Sequence, residues 1–420
     1  MSSPKNNQAS VGLLLACLLA GAASIDYVHR QVMAVVLQGA GASLAIGDAE
    51  MSWLLAIYAL TFVAGSVGLT FTIERYGRRR MLCLALLGLG LFSLLGGLTN
   101  SYWPLLLCRA LMGLFAALLA PAAQAIIGHY FQNELKIRAI GLLTAAAPFG
   151  LILGFGLWGW IVSQFGWQWA LACAGFLSLF FCLLLAKVPA DVPVAHSAGR
   201  STSMYKSLLT IFEVKSFRYL SFGFAAASVG LTASVQWGPT ILVRNHGLPL
   251  ELVGIYLAII FGVVGTASAL LSGQLASRLV QRLPRIPFWL CVAATLVSAP
   301  LYGLAYLSDG TMQMLVLLTL ATLFGFLSGP QLLVVIQTVI PNHLSAQALG
   351  LTSACFTGFS MGITLPLLGY VSDLLAVPYG EDALRYAMVV VPSFFYVVAL
   401  LFYGLGARHF QGDSFRKAAV

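Results

Sequence analysis

Twelve times along this chain an apolar run appears that is long enough, at about 20 helical residues, to cross about 30 Å of hydrocarbon. The runs occupy residues 11–37, 51–73, 81–99, 103–130, 139–163, 168–187, 217–243, 252–276, 287–307, 312–340, 347–376 and 385–407. Such repetition leaves few folds open. In hydrocarbon a backbone must satisfy its own amides and carbonyls, so each run has to become an α-helix. Composition agrees, since 60% of the 420 residues are hydrophobic and only 8% are charged. That is too little charge to cover a soluble surface of this size. The expected fold class is all-α and polytopic, with lipid as its principal solvent.

The runs divide six and six around one long polar connection, roughly 188–216, which holds Pro189, Pro193, Ser197, Gly199, Ser201 and Ser203. A short amphipathic piece follows around 204–212. Two six-helix bundles are expected, at 1–190 and 217–408, with a linker at 191–216 carrying that amphipathic helix and a tail at 409–420. Lysine and arginine give the orientation. Eighteen of the 22 fall on one side: Lys5, Arg75, Arg78, Arg79, Arg80, Lys136, Arg138, Lys187, Arg200, Lys206, Lys215, Arg218, Arg278, Arg282, Arg285, Arg408, Arg416 and Lys417. The opposite loops hold Arg244 and Arg385 beside Asp48, Glu50, Glu251, Asp309, Glu381 and Asp382. This bias predicts a multi-pass cell-membrane protein, of a bacterial inner membrane, with both termini and the linker cytoplasmic. It also accounts for the net charge of +9 without a nucleic-acid partner. The first apolar run is too long for a cleaved signal and is read as a retained span. Seven cysteines lie inside apolar runs with no CxxC pair, and read as small packing residues.

Against this background the charges inside the spans stand out. Asp26, His29 and Arg30 sit in the first run and Arg109 in the fourth. A charged side chain at a helix centre costs about 2.5–3.5 kcal/mol on insertion scales, so it marks a protein interior or a wet cavity. Asp26 and Arg30 are i,i+4, and Asp26 and His29 are i,i+3, so the three are expected on one helix face. Arg30 lies about eight residues before the end of its span and Arg109 about six after the start of its own. Both therefore lie roughly 9–12 Å below the outer surface.

The loop Glu74-Arg75-Tyr76-Gly77-Arg78-Arg79-Arg80 resembles the Asp-Arg-x-Gly-Arg-basic signature of the major facilitator superfamily. Glu74 replaces its aspartate, and Thr70 stands in place of its leading glycine. Gly273-Gln274-Leu275-Ala276-Ser277-Arg278 is similar to a degraded second copy in the other half, with Ser277 in the acidic position. The likeness spans essentially the whole chain. It implies twelve transmembrane helices in two six-helix halves around a central cavity, with Glu74, Arg75, Gly77, Arg78 and Arg278 as gating residues. Within the superfamily the chain is most similar to the anion:cation symporters, which import organic anions with protons. Ile25-Asp26-Tyr27-Val28-His29-Arg30 resembles their Asn-Tyr-x-Asp-Arg motif. Arg109-Ala110-Leu111-Met112-Gly113-Leu114-Phe115-Ala116-Ala117…Pro121 resembles their Arg-x-x-x-Gly-x-x-Glu-Ala…Pro. Phe155 and Trp158 occupy positions where drug:proton antiporters carry Pro and Gly. Two departures fall on the family's proton carriers: His29 stands for its span 1 aspartate and Ala116 for its span 4 glutamate. Asp26 is then the one acid placed deep in a span, with Asp373, near the end of span 11, as a second candidate.

Chemistry suggests how such a group would couple. A carboxyl group out of water holds its proton more tightly, and a nearby guanidinium makes it let go. An anion that takes Arg30 would loosen its hold on Asp26 and promote protonation. His29, an imidazole that titrates near neutrality, is the alternative carrier. Arg109 would complete a planar grip on the anion. A permanent Asp26–Arg30 structural pair is the competing reading. Helix breakers at Pro148, Gln236-Trp237-Gly238-Pro239 and Gly329-Pro330-Gln331 mark places where freed backbone groups need partners. Tyr27, Tyr58, Gln124, Gln236, Trp237 and Gln331 are further candidates for the substrate, with helix–helix hydrogen bonding as the competing use. The Gly150 and Gly154 pair is at the spacing of close helix packing. Walker, HExxH and GxSxG motifs and metal-ligand clusters are absent, so no enzyme, cofactor or metal is expected. The expected function is proton-coupled uptake of a small organic anion (a carboxylate, sugar acid or phosphate ester) by a monomer working through alternating access. Proton-driven efflux of a drug-like or amphipathic compound, including a lysolipid, is the first alternative. A receptor-like membrane protein without flux is the second.

Overall fold

The apolar runs are helical in the computed structural model, which describes residues 4–69, 72–187, 210–279, 285–341 and 344–418. Every regular element among the described residues is a helix. The first part of the chain forms α1 (Pro4–Leu44), α2 (Asp48–Gly68), the short α3 (Thr72–Tyr76), α4 (Arg78–Gly97), α5 (Tyr102–Ala116), α6 (Leu119–Tyr130), α7 (Asn133–Thr144), α8 (Ala146–Phe165) and α9 (Trp167–Ala186). The second part forms α10 (Lys215–Arg244), α11 (Leu250–Leu257), α12 (Gly265–Leu279), α13 (Ile286–Leu307), α14 (Thr311–Gly325), α15 (Ser328–Val339), α16 (Ser345–Thr357), α17 (Thr364–Tyr379) and α18 (Ala383–Ala418). The expected linker and its amphipathic helix lie largely outside the described residues.

Among the described residues, ten stretches are long and apolar enough to cross a membrane. The longest, Gln347–Phe410, runs for 64 residues and holds two crossings, α16–α17 and α18. The twelfth crossing is α10, 30 residues long, whose sequence is less apolar for a visible reason. It buries Ser221, Ser228, Thr232, Ser234, Gln236 and Thr240 against protein, not lipid. The last helix continues to Ala418, and its Asp413 carboxylate accepts the Ser216 amide at 2.8 Å, closing an otherwise orphan donor in the first turn of α10.

Two spans break alike. Span 4 divides into α5, of 15 residues, and α6, of 12; span 10 divides into α14, of 15, and α15, of 12. In each case a proline, Pro121 or Pro330, is the third residue after the break, where its missing amide is an orphan position anyway. Spans 8 and 11 carry π-helical segments, Ala258–Val264 and Gly358–Ile363.

Contacts gather the chain into two units. The first holds Met1–Ile46, Trp53–Ser197 and Pro249–Ala258; the second holds Gly47–Ser52, Ala198–Leu248 and Ile259–Val420. Each has its own core, around Leu19, Ile25, Leu89, Met112 and Ile126 in the first, and Phe217, Phe288, Ile336, Tyr403 and Phe410 in the second. Because lipid is as apolar as leucine, burial alone does not drive these helices together, and close fit has to. The fit of α8 on α1 shows how. A Cβ on Gly150 would lie 2.5 Å from Tyr27 Cβ, and one on Gly154 2.5 Å from Gln31 Cβ, so only glycine admits α1 at this distance. Gly77, at φ 98°, makes the turn from α3 into α4 in a conformation that other residues adopt at a cost.

Candidate functional site

The first helix carries its charges into the middle of the first unit, and three neighbours receive them differently. Tyr27 and Gln31 face α8 across the two glycines. Asp26 and Arg30 turn toward α2. Arg30 Nε donates to Asp26 Oδ1 at 3.0 Å and its Nη2 lies 3.0 Å from Oδ2, a two-pronged pairing along one helical turn. Tyr58 of α2 donates its hydroxyl to the same Oδ1 at 2.6 Å. The carboxylate thus meets two guanidinium nitrogens and a phenol. The pair is not sealed, since the side chains of Arg30 and Asp26 keep 11% and 12% of their exposure.

Arg30 is also ringed by aromatics, with its guanidinium carbon 4.6 Å from the Phe62 ring centre, 5.6 Å from Tyr58 and 6.0 Å from Tyr27. Such faces favour a cation and partly replace the water it gave up. Phe62 was not singled out from the sequence, although it stands one turn after Tyr58 on the same helix face.

Arg109 of α5 also approaches that phenol, 4.5 Å from the Tyr58 ring centre. Both arginines lie against the one Tyr58 ring, but their settings differ. Arg109 is 1% exposed. Its Nε donates to the Leu54 carbonyl of α2 at 3.1 Å and its Nη1 to the His29 carbonyl of α1 at 3.3 Å. It ties three helices together through backbone groups.

His29 does not share the face of Asp26 and Arg30, contrary to the simple helical expectation. Its ring points to α9, where Nε2 lies 2.8 Å from Ser178 Oγ. That hydroxyl already donates to the Ala174 carbonyl at 3.0 Å, so it accepts from the imidazole. The pattern assigns the proton to Nε2 and leaves Nδ1 as a buried lone pair with no donor beside it. Ser178 is the partner that sequence reasoning missed, because its only signal is a polar residue on a helix 149 positions away.

The remaining candidates are distributed as follows. Gln124 is exposed on α6. In the second unit, Gln236 and Trp237 are buried on α10, with Gln236 Nε2 and Trp237 Nε1 lacking partners. Gln331 of α15 donates to Ser272 Oγ of α12 at 2.7 Å, a helix–helix bond within that unit. Near the short α3, Arg75 is exposed beside the Tyr76 ring, Gly77 is buried and Arg78 is half-buried, while the Glu74 side chain lies outside the described residues, as does Thr70. Arg278 is exposed. Asp373, the second acid considered for coupling, instead caps α2: its Oδ1 and Oδ2 accept the Asp48 and Ala49 amides, each at 3.1 Å.

A family model described as Major Facilitator Superfamily matches residues 13–365. An MFS-type efflux pump of Mycolicibacterium smegmatis is 26% identical over 430 residues, covering 99% of this chain and 96% of the relative. A D-galactonate transporter of Escherichia coli is 24% identical over 383 residues, covering 83% and 86%. A crystal structure of a bacterial homologue of the human lysosomal transporter Spinster, inward-facing and unoccupied, superposes with a TM-score of 0.83 at 20% identity, covering 98% of this chain and 99% of that one.

Proposed function

Because the chain belongs to the Major Facilitator Superfamily, we propose that this multi-pass transporter takes up a small organic anion with protons, binding it at Arg30 and coupling it through Asp26. One observation carries this reading. A carboxylate and a guanidinium meet in both prongs inside a membrane span, yet both retain some exposure. A wholly structural pair gains nothing from that opening, whereas a working pair requires it.

The chemistry follows from competition for Arg30. A substrate carboxylate or phosphate presents the same two acceptor oxygens that Asp26 presents, so it can take the guanidinium fork in its place. Asp26 is then left in a low-dielectric site without its cation, and neutralises by accepting a proton. Substrate and proton thereby become loaded together. Tyr58, bonded to Asp26 and touching both arginines, holds the carboxylate in register. Arg109 acts as a positioning residue through the carbonyls of Leu54 and His29. His29 is a neutral structural imidazole, because a second ring proton would have no acceptor at Nδ1. The D-galactonate transporter among the relatives supports an acidic sugar as the first solute to try.

A second reading has support of its own. The efflux pump aligns over 99% of this chain, and an Asp26 that carries a proton inward down its gradient as the solute leaves would export an amphipathic compound. Proteoliposomes with an imposed pH gradient separate the two, tested with D-galactonate, a hexuronate, simple carboxylates, phosphate esters and lysolipids. Accumulation of an acid supports uptake. Proton-driven expulsion of a lysolipid or drug-like compound, with no acid accumulated, replaces it with the second reading. No flux of any solute in the panel removes both.

A further inference from the structure

Helices α4 and α9 of the first unit run antiparallel along one line of close contact, and the line has a register. A Cβ on Gly97 would come within 2.7 Å of the Gln168 carbonyl oxygen, and one on Gly175 within 2.8 Å of the Gly90 carbonyl oxygen. Seven residues back along α4, from Gly97 to Gly90, are answered by seven forward along α9, from Gln168 to Gly175. Seven residues make about two turns, so each step stays on one helix face. The next step of the same length pairs Cys83 with Cys182. One turn further on, Arg79 meets Ala186, where its Nη2 donates to the carbonyl at 2.7 Å.

The cysteines sit on their rung as the register requires. The Cys182 thiol donates to the Cys83 carbonyl at 3.4 Å. The two sulfurs are hydrogen-bonding neighbours, and the Arg79 guanidinium reaches that of Cys83. Both residues are half-buried, so neither thiol is sealed. A disulfide needs Cα atoms within about 7 Å, and the backbone contacts at the two neighbouring rungs hold the helices on the close side of ordinary packing. Packing alone asks only for a small residue here. It does not ask for two sulfurs facing one another with a cation at one of them.

We propose that Cys83 and Cys182 form a reversible dithiol site for a small hydroperoxide, closing as a disulfide that staples α4 to α9. Such an oxidant is small and uncharged, so it reaches a half-buried thiol that a bulky reagent does not. Cys83, with the Arg79 cation beside it, is the attacking sulfur. Its S–O bond forms as the O–O bond breaks, and the departing hydroxide takes the Cys83 proton and leaves as water. Cys182 then attacks the sulfenic sulfur. The S–S bond forms, the S–O bond breaks, and a second water carries off the Cys182 proton. The two sulfurs have given two electrons to the peroxide, and a thiol reductant reverses the closure. Transport plays no part in this chemistry, so the site stands whether or not the carrier reading does.

The test uses the full chain in nanodiscs, fully reduced and then freed of reductant. Hydrogen peroxide is raised until Cys17, an exposed thiol, is oxidised, and peptides are read by mass spectrometry without reduction. The Cys83–Cys182 cross-linked peptide is expected at least tenfold above any other cysteine pair, and dithiothreitol should remove it. Oxidation should raise the melting temperature by about 5 °C in the wild type and not in Cys83→Ala or Cys182→Ala. With dimedone present, Cys182→Ala should trap a sulfenic acid at Cys83 at least tenfold more than Cys83→Ala traps one at Cys182. No cross-linked peptide once Cys17 is oxidised, or equal cross-linking among several pairs, overturns the site. Equal trapping at the two sulfurs overturns the assignment of Cys83 as the attacking one.

Discussion

Replacing Asp26 with asparagine removes one charge and almost no volume, and it separates the two possible roles of the buried pair. In the wild type the carboxylate receives Arg30 Nε and Nη2, each at 3.0 Å, and the Tyr58 hydroxyl at 2.6 Å. Asparagine keeps one acceptor oxygen and turns an amide donor toward the guanidinium. Removing one partner of a buried ion pair costs about 3–5 kcal/mol. Here the side chains keep 11% and 12% exposure, so water returns part of that, and about 2–3 kcal/mol is the expected loss of stability. The same quantity should reappear in binding. An anion arriving at Arg30 no longer displaces a carboxylate, so its affinity should rise by about one to two powers of ten. Thermal unfolding of the purified variant, alone and with an acid that stabilises the wild type, measures both. Asp26→Asn should melt earlier by itself, gain more from the acid, and lose the dependence of uptake on the pH gradient. A folded variant that binds the acid no tighter than wild type, or that keeps full pH-driven uptake, would refute the competition for Arg30.

The two arginines should behave in opposite ways. Arg109→Lys loses the donors to Leu54 and His29, so melting should fall by about 1.5–3 kcal/mol of stability with anion affinity little changed. Arg30→Lys should lower anion affinity at least tenfold, and the reverse pattern in a thermal-shift titration would exchange their roles. His29→Gln preserves a donor toward Ser178, so the pH profile of transport should not move; a clear displacement would show that the imidazole titrates. Gly154→Ala drives a methyl to within 2.5 Å of Gln31 Cβ and should cost about 1–3 kcal/mol, measured by denaturation in detergent. At the loop after α10, burial first and then the Arg385 guanidinium hold His246 below its ordinary value, with Asp309 opposing. The unfolded chain takes up that proton near pH ~6.5 and the folded one only at lower pH. The associated stability is therefore complete above about pH 6.5 and is lost as the pH falls below it. His246→Gln should flatten the acid side of a melting-temperature profile, and an unchanged slope would assign that slope to another group.

The fold was legible because a membrane imposes one length and one backbone solution, and the apolar runs report both. The break before Pro330 was equally visible, since proline declares itself by the amide it lacks. The π-helical segments were not. Ala258–Val264 reads as a plain apolar run, and its extra residue per turn is settled by packing. At the site, Asp26 and Arg30 announced their pairing through i,i+4 spacing. The direction of His29 did not follow from that spacing, because its ring lies about a sixth of a turn from Asp26 on the wheel. A serine on α9 decided where it went. Tyr58 was recognisable as a wall, but its hydroxyl bond to Asp26 joins two helices at residues 32 apart, which spacing within one helix does not give. The Asp48–Arg244 pair joins residues 196 apart, each of which looked like an ordinary loop charge.

The equal division of spans 4 and 10, 15 residues and then 12, carries a meaning beyond shape. Matched lengths with a proline at the same place are what an internal duplication would leave in the two halves. The chemistry is not matched in the same way. Among the described residues, the buried ionic groups Asp26, Arg30 and Arg109 lie in the first unit, while the second buries amides, hydroxyls and phenols such as Gln236, Gln331, Thr240, Tyr302 and Tyr306. Equal interruptions in the backbone therefore do not carry equal side-chain chemistry.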